Sequence, residues 1–333
     1  MTSIFKSKTI LITGGTGSFG QALINYLLKI KNQPKKIIVF SRDELKQFHM
    51  SKVFDQKKFS NIRFFLGDIR DKDRLKLAFE EVDIVVHAAA LKQVPAAEYN
   101  PFEFIKTNVI GSQNIVEACL DSNVKNVIAL STDKASSPIN LYGATKLCAD
   151  KLFIGANNIK GKKDIKFSVV RYGNVMGSRG SVVHNFLDQK SAGKILVTDK
   201  RMTRFHITLD EAVNMVLYCL INLKGGEIFV PKIPSFFVKD LAEACSSPGS
   251  EIVYTGIRPG EKLHEEMISV YDSRTTVDID KYYAILPDSL IAKYVDQGGK
   301  LVKEDFFYNS LNNKHFLKIS ELKKIVKDLS NFK

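Results

Sequence analysis

The chain has 333 residues, room for two or three domains at about 100–200 residues each, and its 44% hydrophobic and 26% charged residues suit an ordinary globular protein. That balance excludes a disordered tail, a collagen-like fibre and a disulfide-stapled miniprotein. The net charge is +13, but lysines run from Lys6 to Lys333 interleaved with acids, without the clustered basic face of a nucleic-acid binder. Such a field still favours anionic small molecules.

The four cysteines, Cys119, Cys148, Cys219 and Cys245, form no C-x-x-C pair and have no histidine cluster beside them. No metal site is expected, and reduced thiols in a cytoplasmic protein are the plain reading. No apolar run reaches a signal-peptide core or the roughly 18 residues of a membrane span, so neither export nor a membrane span is expected.

In chain order, short β-branched runs at 9–13, 37–40, 62–66, 84–87, 127–130 and 167–171 predict strands. Between them, 18–29, 44–54, 73–79, 102–121 and 142–157 predict helices. Nearly continuous apolar strands alternating with helices argue for an α/β fold, a doubly wound parallel sheet of the Rossmann kind. Ligands bind such sheets beyond the carboxyl ends of the strands. After Arg171 glycines and prolines break the rhythm, although 226–230 reads as a strand returning to the sheet and 320–329 as a packing helix. The expected domains are a dinucleotide unit over 1–173, with 207–231 returning to it, and a smaller discontinuous substrate unit from 174–206 and 232–333.

The first strand runs straight into Gly14-Gly-Thr-Gly-Ser-Phe-Gly20 and then into a helix. Backbone amides at such a helix start hold a pyrophosphate, which places Gly14, Thr16, Gly17, Ser18, Phe19 and Gly20 at a dinucleotide. The second strand ends Phe40-Ser41-Arg42-Asp43, with Lys46 one turn further on. An acid there suits the ribose 2′-hydroxyl of NAD, and a cation suits the 2′-phosphate of NADP. Ser41, Arg42 and Lys46 favour NADP; Asp43 leaves open that Arg42 is a surface ion-pair partner. Asp68 and Ile69 after the third strand can read an adenine edge, and Ala88, Ala89 and Ala90 after the fourth let a cofactor lie against the backbone.

Ser131-Thr132-Asp133-Lys134 follows the fifth strand, and Tyr142-Gly-Ala-Thr-Lys146 opens the next helix. Tyrosine and lysine at i and i+4 share one helix face. A phenol with a reference pKa of about 10 needs positive charge nearby to act as a base at neutral pH, which Lys146 and an oxidised nicotinamide would supply.

These features resemble the extended short-chain dehydrogenase/reductase superfamily. Ser41-Arg-Asp-Glu-Leu-Lys46, Ala88-Ala-Ala-Leu-Lys92, Leu130-Ser-Thr-Asp-Lys134, Arg171-Tyr-Gly-Asn-Val175, Met202-Thr-Arg-Phe205 and Arg258-Pro-Gly-Glu-Lys262-Leu-His264 resemble, more narrowly, its inverting UDP-N-acetylglucosamine 4,6-dehydratases. The run 139–147 and Val230-Pro-Lys-Ile-Pro-Ser235 point to the pseudaminic acid type, acting on flagellin or surface glycans.

The resemblance implies a homo-oligomer, dimer or hexamer, that keeps its NADP through each cycle. Thr132, Tyr142 and Lys146 would oxidise sugar carbon 4. Lys134 would take the carbon 5 proton, and Asp133 would protonate the departing 6-hydroxyl. Thr107 and Asn108 would support the cofactor. Lys92, Asn174 and Val175 would contact substrate, Arg204 and Arg258 would grip the diphosphate, and Glu261 would meet the uridine ribose. Lys146, the nicotinamide and partial burial are expected to lower the Lys134 pKa against the opposition of Asp133. Retaining relatives carry Asp-Glu where this chain has Asp133-Lys134, which speaks against a retaining dehydratase or a 4-epimerase. The Tyr142–Lys146 pair speaks against a non-catalytic NADP-binding regulator. His184, Asn185 and His206 depart from the group's pattern near the expected nucleotide pocket.

Overall fold

Apolar patterning lays down the first half as alternating strand and helix. The computed structural model describes residues 2–178, 180–190 and 193–330. It begins β1 (Thr9–Thr13), α1 (Ser18–Lys29), β2 (Lys36–Ser41), α2 (Glu44–Val53), β3 (Ile62–Leu66), α3 (Lys72–Ala78) and β4 (Ile84–His87). Every residue of β1 and β4 is buried, as strands covered on both faces must be. Asp43 and Asp71 start α2 and α3 by accepting from the Lys46 and Arg74 amides at 2.9 Å.

Next come α4 (Val94–Tyr99), α5 (Pro101–Phe104) and α6 (Gly111–Leu120), then β5 (Asn126–Thr132), α7 (Leu141–Ile159) and β6 (Lys166–Tyr172). The single helix expected over 102–121 is interrupted by a π-helical turn, Ile105–Ile110. That wider turn carries Asn108, whose side chain accepts from the Leu91 amide and donates to the Leu91 carbonyl, both at 2.9 Å. A local departure from α-geometry therefore fixes the loop after β4.

The second half supplies β7 (Asn174–Val175), α8 (Val182–Lys190), β8 (Lys194–Val197), β9 (Thr203–Ile207), α9 (Leu209–Asn222) and β10 (Ile228–Pro231). It continues with β11 (Ser235–Phe237), α10 (Val238–Cys245), β12 (Glu251–Tyr254) and β13 (Glu266–Ile268). The chain closes with β14 (Thr276–Ile279), β15 (Tyr282–Ile285), α11 (Asp288–Asp296), β16 (Lys300–Leu301), β17 (Tyr308–Asn309) and α12 (Ile319–Ser330).

The large sheet has ten strands in the order β16-β14-β15-β10-β6-β5-β4-β1-β2-β3. From β10 to β3 neighbours are parallel, and β15, β14 and β16 add antiparallel pairs at the far edge. This is the expected doubly wound fold, with strand order reversing between β1 and β4 to open a crevice at their carboxyl ends. Segment 276–301 extends the large sheet, β15 pairing with the β10 edge, β14 with β15 and β16 with β14. A second core of Val183, Phe186, Ile195, Phe236, Leu241 and Leu322 joins α8, β8, β11, α10 and α12. Among the described residues no helix is long and apolar enough to cross a membrane.

Candidate active site

The turn after β1 is built around backbone contact. Gly14 has φ of +65°, and a Cβ there would lie 2.8 Å from the Ala89 nitrogen, so β1 and the Ala88–Ala90 loop touch through main chain alone. Thr13 Oγ1 reinforces the contact, accepting from the Ala88 and Ala89 amides at 3.2 and 3.3 Å. Gly17 is the N-cap of α1 and has no side chain to cap it, and Gln21 steadies the turn by donating to the Thr16 carbonyl at 2.9 Å. Ser18, Phe19 and Gly20 form the first helical turn. The geometry is that of an anion cradle.

At the end of β2, Ser41 Oγ accepts from Gln47 at 3.0 Å. Lys46 pairs with Asp43 at 2.7 Å, which leaves Arg42 half exposed with only a 3.8 Å approach to Asp68. Asp68 is held chiefly by Arg70, at 2.7 Å; burial works to raise its pKa, but the Arg70 hydrogen bonds outweigh it and hold the carboxyl below its usual range. Ile69 is buried beside it. On the π-helical turn, Thr107 Oγ1 is buried without a protein partner, whereas Asn108 is fully engaged.

Thr132 ends β5, and Asp133–Ala135 form a single 3₁₀ turn leading toward α7. Asn140 caps α7 by accepting from the Gly143 amide at 2.8 Å, and its own amide reaches the Gly260 carbonyl at 2.8 Å. Gly143 is required here, since a Cβ would overlap the Lys134 carbonyl oxygen. Helix and turn are thus pressed together, bringing Thr132, Asp133, Lys134 and Tyr142 into one cluster. Thr132 Oγ1 donates to Asp133 Oδ1 at 3.0 Å. Lys146, buried one turn on, donates to the Leu130 carbonyl at 2.8 Å.

Burial pushes the Tyr142 phenol up to about 12, against the pull of the Lys134 ammonium and a hydrogen bond with Thr132. Lys146 is itself shifted down by burial, against the pull of Asp150. Lys134 goes the other way. Burial works to lower its pKa, but Asp133 at 3.1 Å and Glu265 at 3.0 Å outweigh it and hold the ammonium well above its ordinary value. The expected lowering counted on a nicotinamide beside the lysine; among the protein's own groups the two carboxylates prevail over burial. Asp133 is pushed up, first by burial and then by Glu265, against Lys134. Its Oδ2 is buried without a partner.

Glu265 was not singled out from the sequence. It stands one residue past the Arg258–His264 motif, and beside Glu266 it reads as half of an exposed acidic pair. Only a position opposite Lys134 across the fold gives it a role, and no local pattern encodes that.

The residues expected at substrate divide into two groups. Arg204 on β9 is nine-tenths buried, donating to the Thr203 and Leu263 carbonyls at 2.8 and 3.1 Å and lying 3.6 Å from Glu265. Glu261 stands between Arg204 and Arg258, at 3.8 and 3.2 Å, and Arg258 is largely exposed. Asn174 and Val175 on β7 pair beside His206 and Ile207 of β9. Lys92 lies on the exposed stretch after Leu91. His184, on α8 of the second core, donates from Nε2 to the Gly177 carbonyl at 3.2 Å.

A family model described as polysaccharide biosynthesis protein matches residues 10–287. The chain belongs to this family. Within it, the chain is 51% identical to a UDP-N-acetylglucosamine 4,6-dehydratase (inverting) from Campylobacter jejuni, over 99% of this chain and 100% of the relative. It is 41% identical to a UDP-glucose 4-epimerase from Rickettsia conorii, over 97% of this chain and 96% of the relative. Among solved structures it matches the X-ray structure of Pen from Bacillus thuringiensis at 38% identity, covering 98% and 99% of the two chains with a TM-score of 0.89. These likenesses span the whole chain, both cores included.

Proposed function

We propose that this family member removes water from UDP-N-acetylglucosamine across carbons 5 and 6 and inverts carbon 5, giving UDP-2-acetamido-2,6-dideoxy-β-L-arabino-hex-4-ulose. The observation that carries this reading is the hydrogen-bonded Asp133–Lys134 pair at the end of β5, beside Tyr142. A 4-epimerase has no use for an acid–base pair there, because it never breaks a bond at carbon 5 or 6.

The residues fit a nicotinamide dinucleotide. The α1 start lacks a side-chain cap, Ala88–Ala90 present only methyl groups, and Thr107 offers a buried hydroxyl without a protein partner. Gly14, Thr16, Gly17, Ser18, Phe19 and Gly20 would hold the pyrophosphate, and Arg42, with Lys46 committed to Asp43, would meet the 2′-phosphate of NADP. When bound, the nicotinamide accepts hydride from carbon 4 and returns it to carbon 6, and its positive ring favours the Tyr142 phenolate.

On the sugar, Thr132 would hold the 4-hydroxyl while Tyr142 takes its proton. The ketone so formed acidifies the hydrogen on carbon 5. Lys134 must lose a proton before it can take that hydrogen, and Asp133 stands 3.1 Å away as the acceptor. One transfer along that hydrogen bond converts an ion pair into an amine and a carboxylic acid, which are the base for carbon 5 and the acid for the departing 6-hydroxyl. Burial of Asp133 favours its acid form. Water leaves from carbon 6, carbon 5 takes up a proton on the face opposite Lys134, and the proton that Tyr142 took from the 4-hydroxyl balances it, so that the enzyme returns to its starting state.

Proton NMR of the product formed from UDP-N-acetylglucosamine tests this reading. A 6-deoxy-4-keto sugar of β-L-arabino configuration supports it, and recovery of the 4-epimer alone overturns it.

A further inference from the structure

We infer that Glu265 is a positioning residue of the dehydration step, holding Lys134 Nζ against Asp133 from the opposite side of the site. The inference rests on the proposed reaction and adds to it a residue outside the Thr132–Tyr142–Lys146 group and the Asp133–Lys134 pair.

Glu265 is 2% exposed, and its Oε1 lies 3.0 Å from Lys134 Nζ and 3.6 Å from Arg204 Nε. A carboxylate so placed is costly unless its charge is answered. Here two cations answer it, and both converge on one oxygen. Its backbone is fixed as well. The Glu265 amide donates to Ser310 Oγ at 2.9 Å, the Ser310 amide donates to the Glu265 carbonyl at 2.8 Å, and Ser310 Oγ meets Thr203 Oγ1 at 2.7 Å. The segment that carries the carboxylate is therefore anchored at its main chain, on the side of the site opposite Asp133.

Neighbouring residues lash the same segment to the turn that bears Lys134. Ser137 and Ser136 donate to Glu266 Oε1 at 2.6 and 3.1 Å, and Lys262 donates to the Ser136 carbonyl at 2.7 Å. Ser137 holds a φ of +41°, a left-handed conformation uncommon for serine, within this lashing. Three separate contacts thus register 262–266 against 134–137. Arg258 and Glu261 immediately precede this segment, and Glu265 lies within it.

The charged groups facing Lys134 are Asp133 on its own turn, Glu265 beside β13, Arg204 on β9, Tyr142 on α7, and Lys262 on the lashing segment. Glu265 is the carboxylate whose charge raises the pKa of both Lys134 and Asp133. Neutralising it makes every proton on the Asp133–Lys134 pair easier to lose. The whole pH profile of dehydration then slides to lower pH. A residue that only shaped the turn would change the rate equally at every pH and leave the profile in place.

The test uses the cofactor-loaded enzyme with UDP-N-acetylglucosamine, following product and carbon 5 deuterium exchange against pH by NMR. Glu265→Gln is expected to move the acidic limb down by at least about one pH unit, with KM within about twofold of wild type. Glu265→Asp keeps the charge and withdraws it by one methylene. It is expected to move the limb in the same direction by less, and it stands as the test if Glu265→Gln does not fold. A limb unmoved from wild type in Glu265→Gln, or in Glu265→Asp where that variant stands in for it, overturns the inference while leaving the reaction intact. Failure of the wild-type enzyme to exchange carbon 5 at all overturns the proposed reaction, and this inference with it.

Discussion

Two lysines mark the two ends of this site, and the protein surrounds them differently. At the α7 end, Lys146 faces a single carboxylate, Asp150, which already accepts from Ser131 at 2.8 Å and from Arg171 at 3.2 Å. Burial prevails there, and the ammonium is shifted down. At the β5 end, Lys134 is clasped by Asp133 and Glu265, and the ammonium is shifted up. The same side chain is thus tuned toward giving up its proton at one end and toward keeping it at the other. One end would support the Tyr142 phenolate in the proposed reaction. The other stores a proton within 3.1 Å of a carboxyl that burial makes ready to receive it.

That division can be broken most severely at the residue both ends share. Tyr142→Phe removes the base that starts the cycle, and turnover is expected to fall by about 10²–10⁴-fold, the ordinary worth of a general base. Absorbance of reduced nicotinamide on the enzyme should disappear as well, because carbon 4 is no longer oxidised. Retained nicotinamide reduction would show that Tyr142 is not the base.

Asp133→Asn isolates the β5 end. Asparagine cannot accept the Lys134 proton or deliver one to the 6-hydroxyl, so dehydration is expected to fall by about 10²-fold or more while carbon 4 oxidation persists. The check is single-turnover nicotinamide reduction measured beside product formation. Equal loss of both would erase the distinction between the two ends.

Gly143→Ala presses on the seam between them. The added methyl meets the Lys134 carbonyl oxygen, and overpacking of this kind costs about 1–3 kcal/mol. Tm should fall, and dehydration should suffer more than carbon 4 oxidation because the turn, not the helix, gives way. A variant with wild-type Tm would show that the contact is slack.

The smallest effect is expected far from both lysines. Arg42→Asp should shift cofactor preference from NADP toward NAD by about tenfold or more, the value of one charge-assisted hydrogen bond. Unchanged NADP affinity in a fluorescence titration would place Arg42 at the surface only.

Legibility from sequence follows the range of the interactions. Strands β1 and β4 are readable to the residue because buried parallel strands are continuous apolar runs, and Gly14–Gly20 is readable because its turn is local. The helix over 102–121 was misread as unbroken, since nothing in Ile105–Ile110 announces a π-helical turn whose purpose is to let Asn108 reach Leu91. Strands β14–β16 join the large sheet at an edge that no local run in the sequence announces. Glu265, which holds Lys134 together with Asp133, arrives from another part of the chain and leaves no local sign either.

The account turns on Lys134, and one experiment addresses it directly. Lys134→Met, loaded with cofactor and given UDP-N-acetylglucosamine in heavy water, is predicted to reduce its nicotinamide yet place no deuterium at carbon 5 and release no water. Reduction of the nicotinamide serves as the internal control that the fold and the Tyr142–Lys146 end survive. Deuterium entering carbon 5 at the wild-type rate would contradict the account, since the proton would then be leaving to some group other than Lys134.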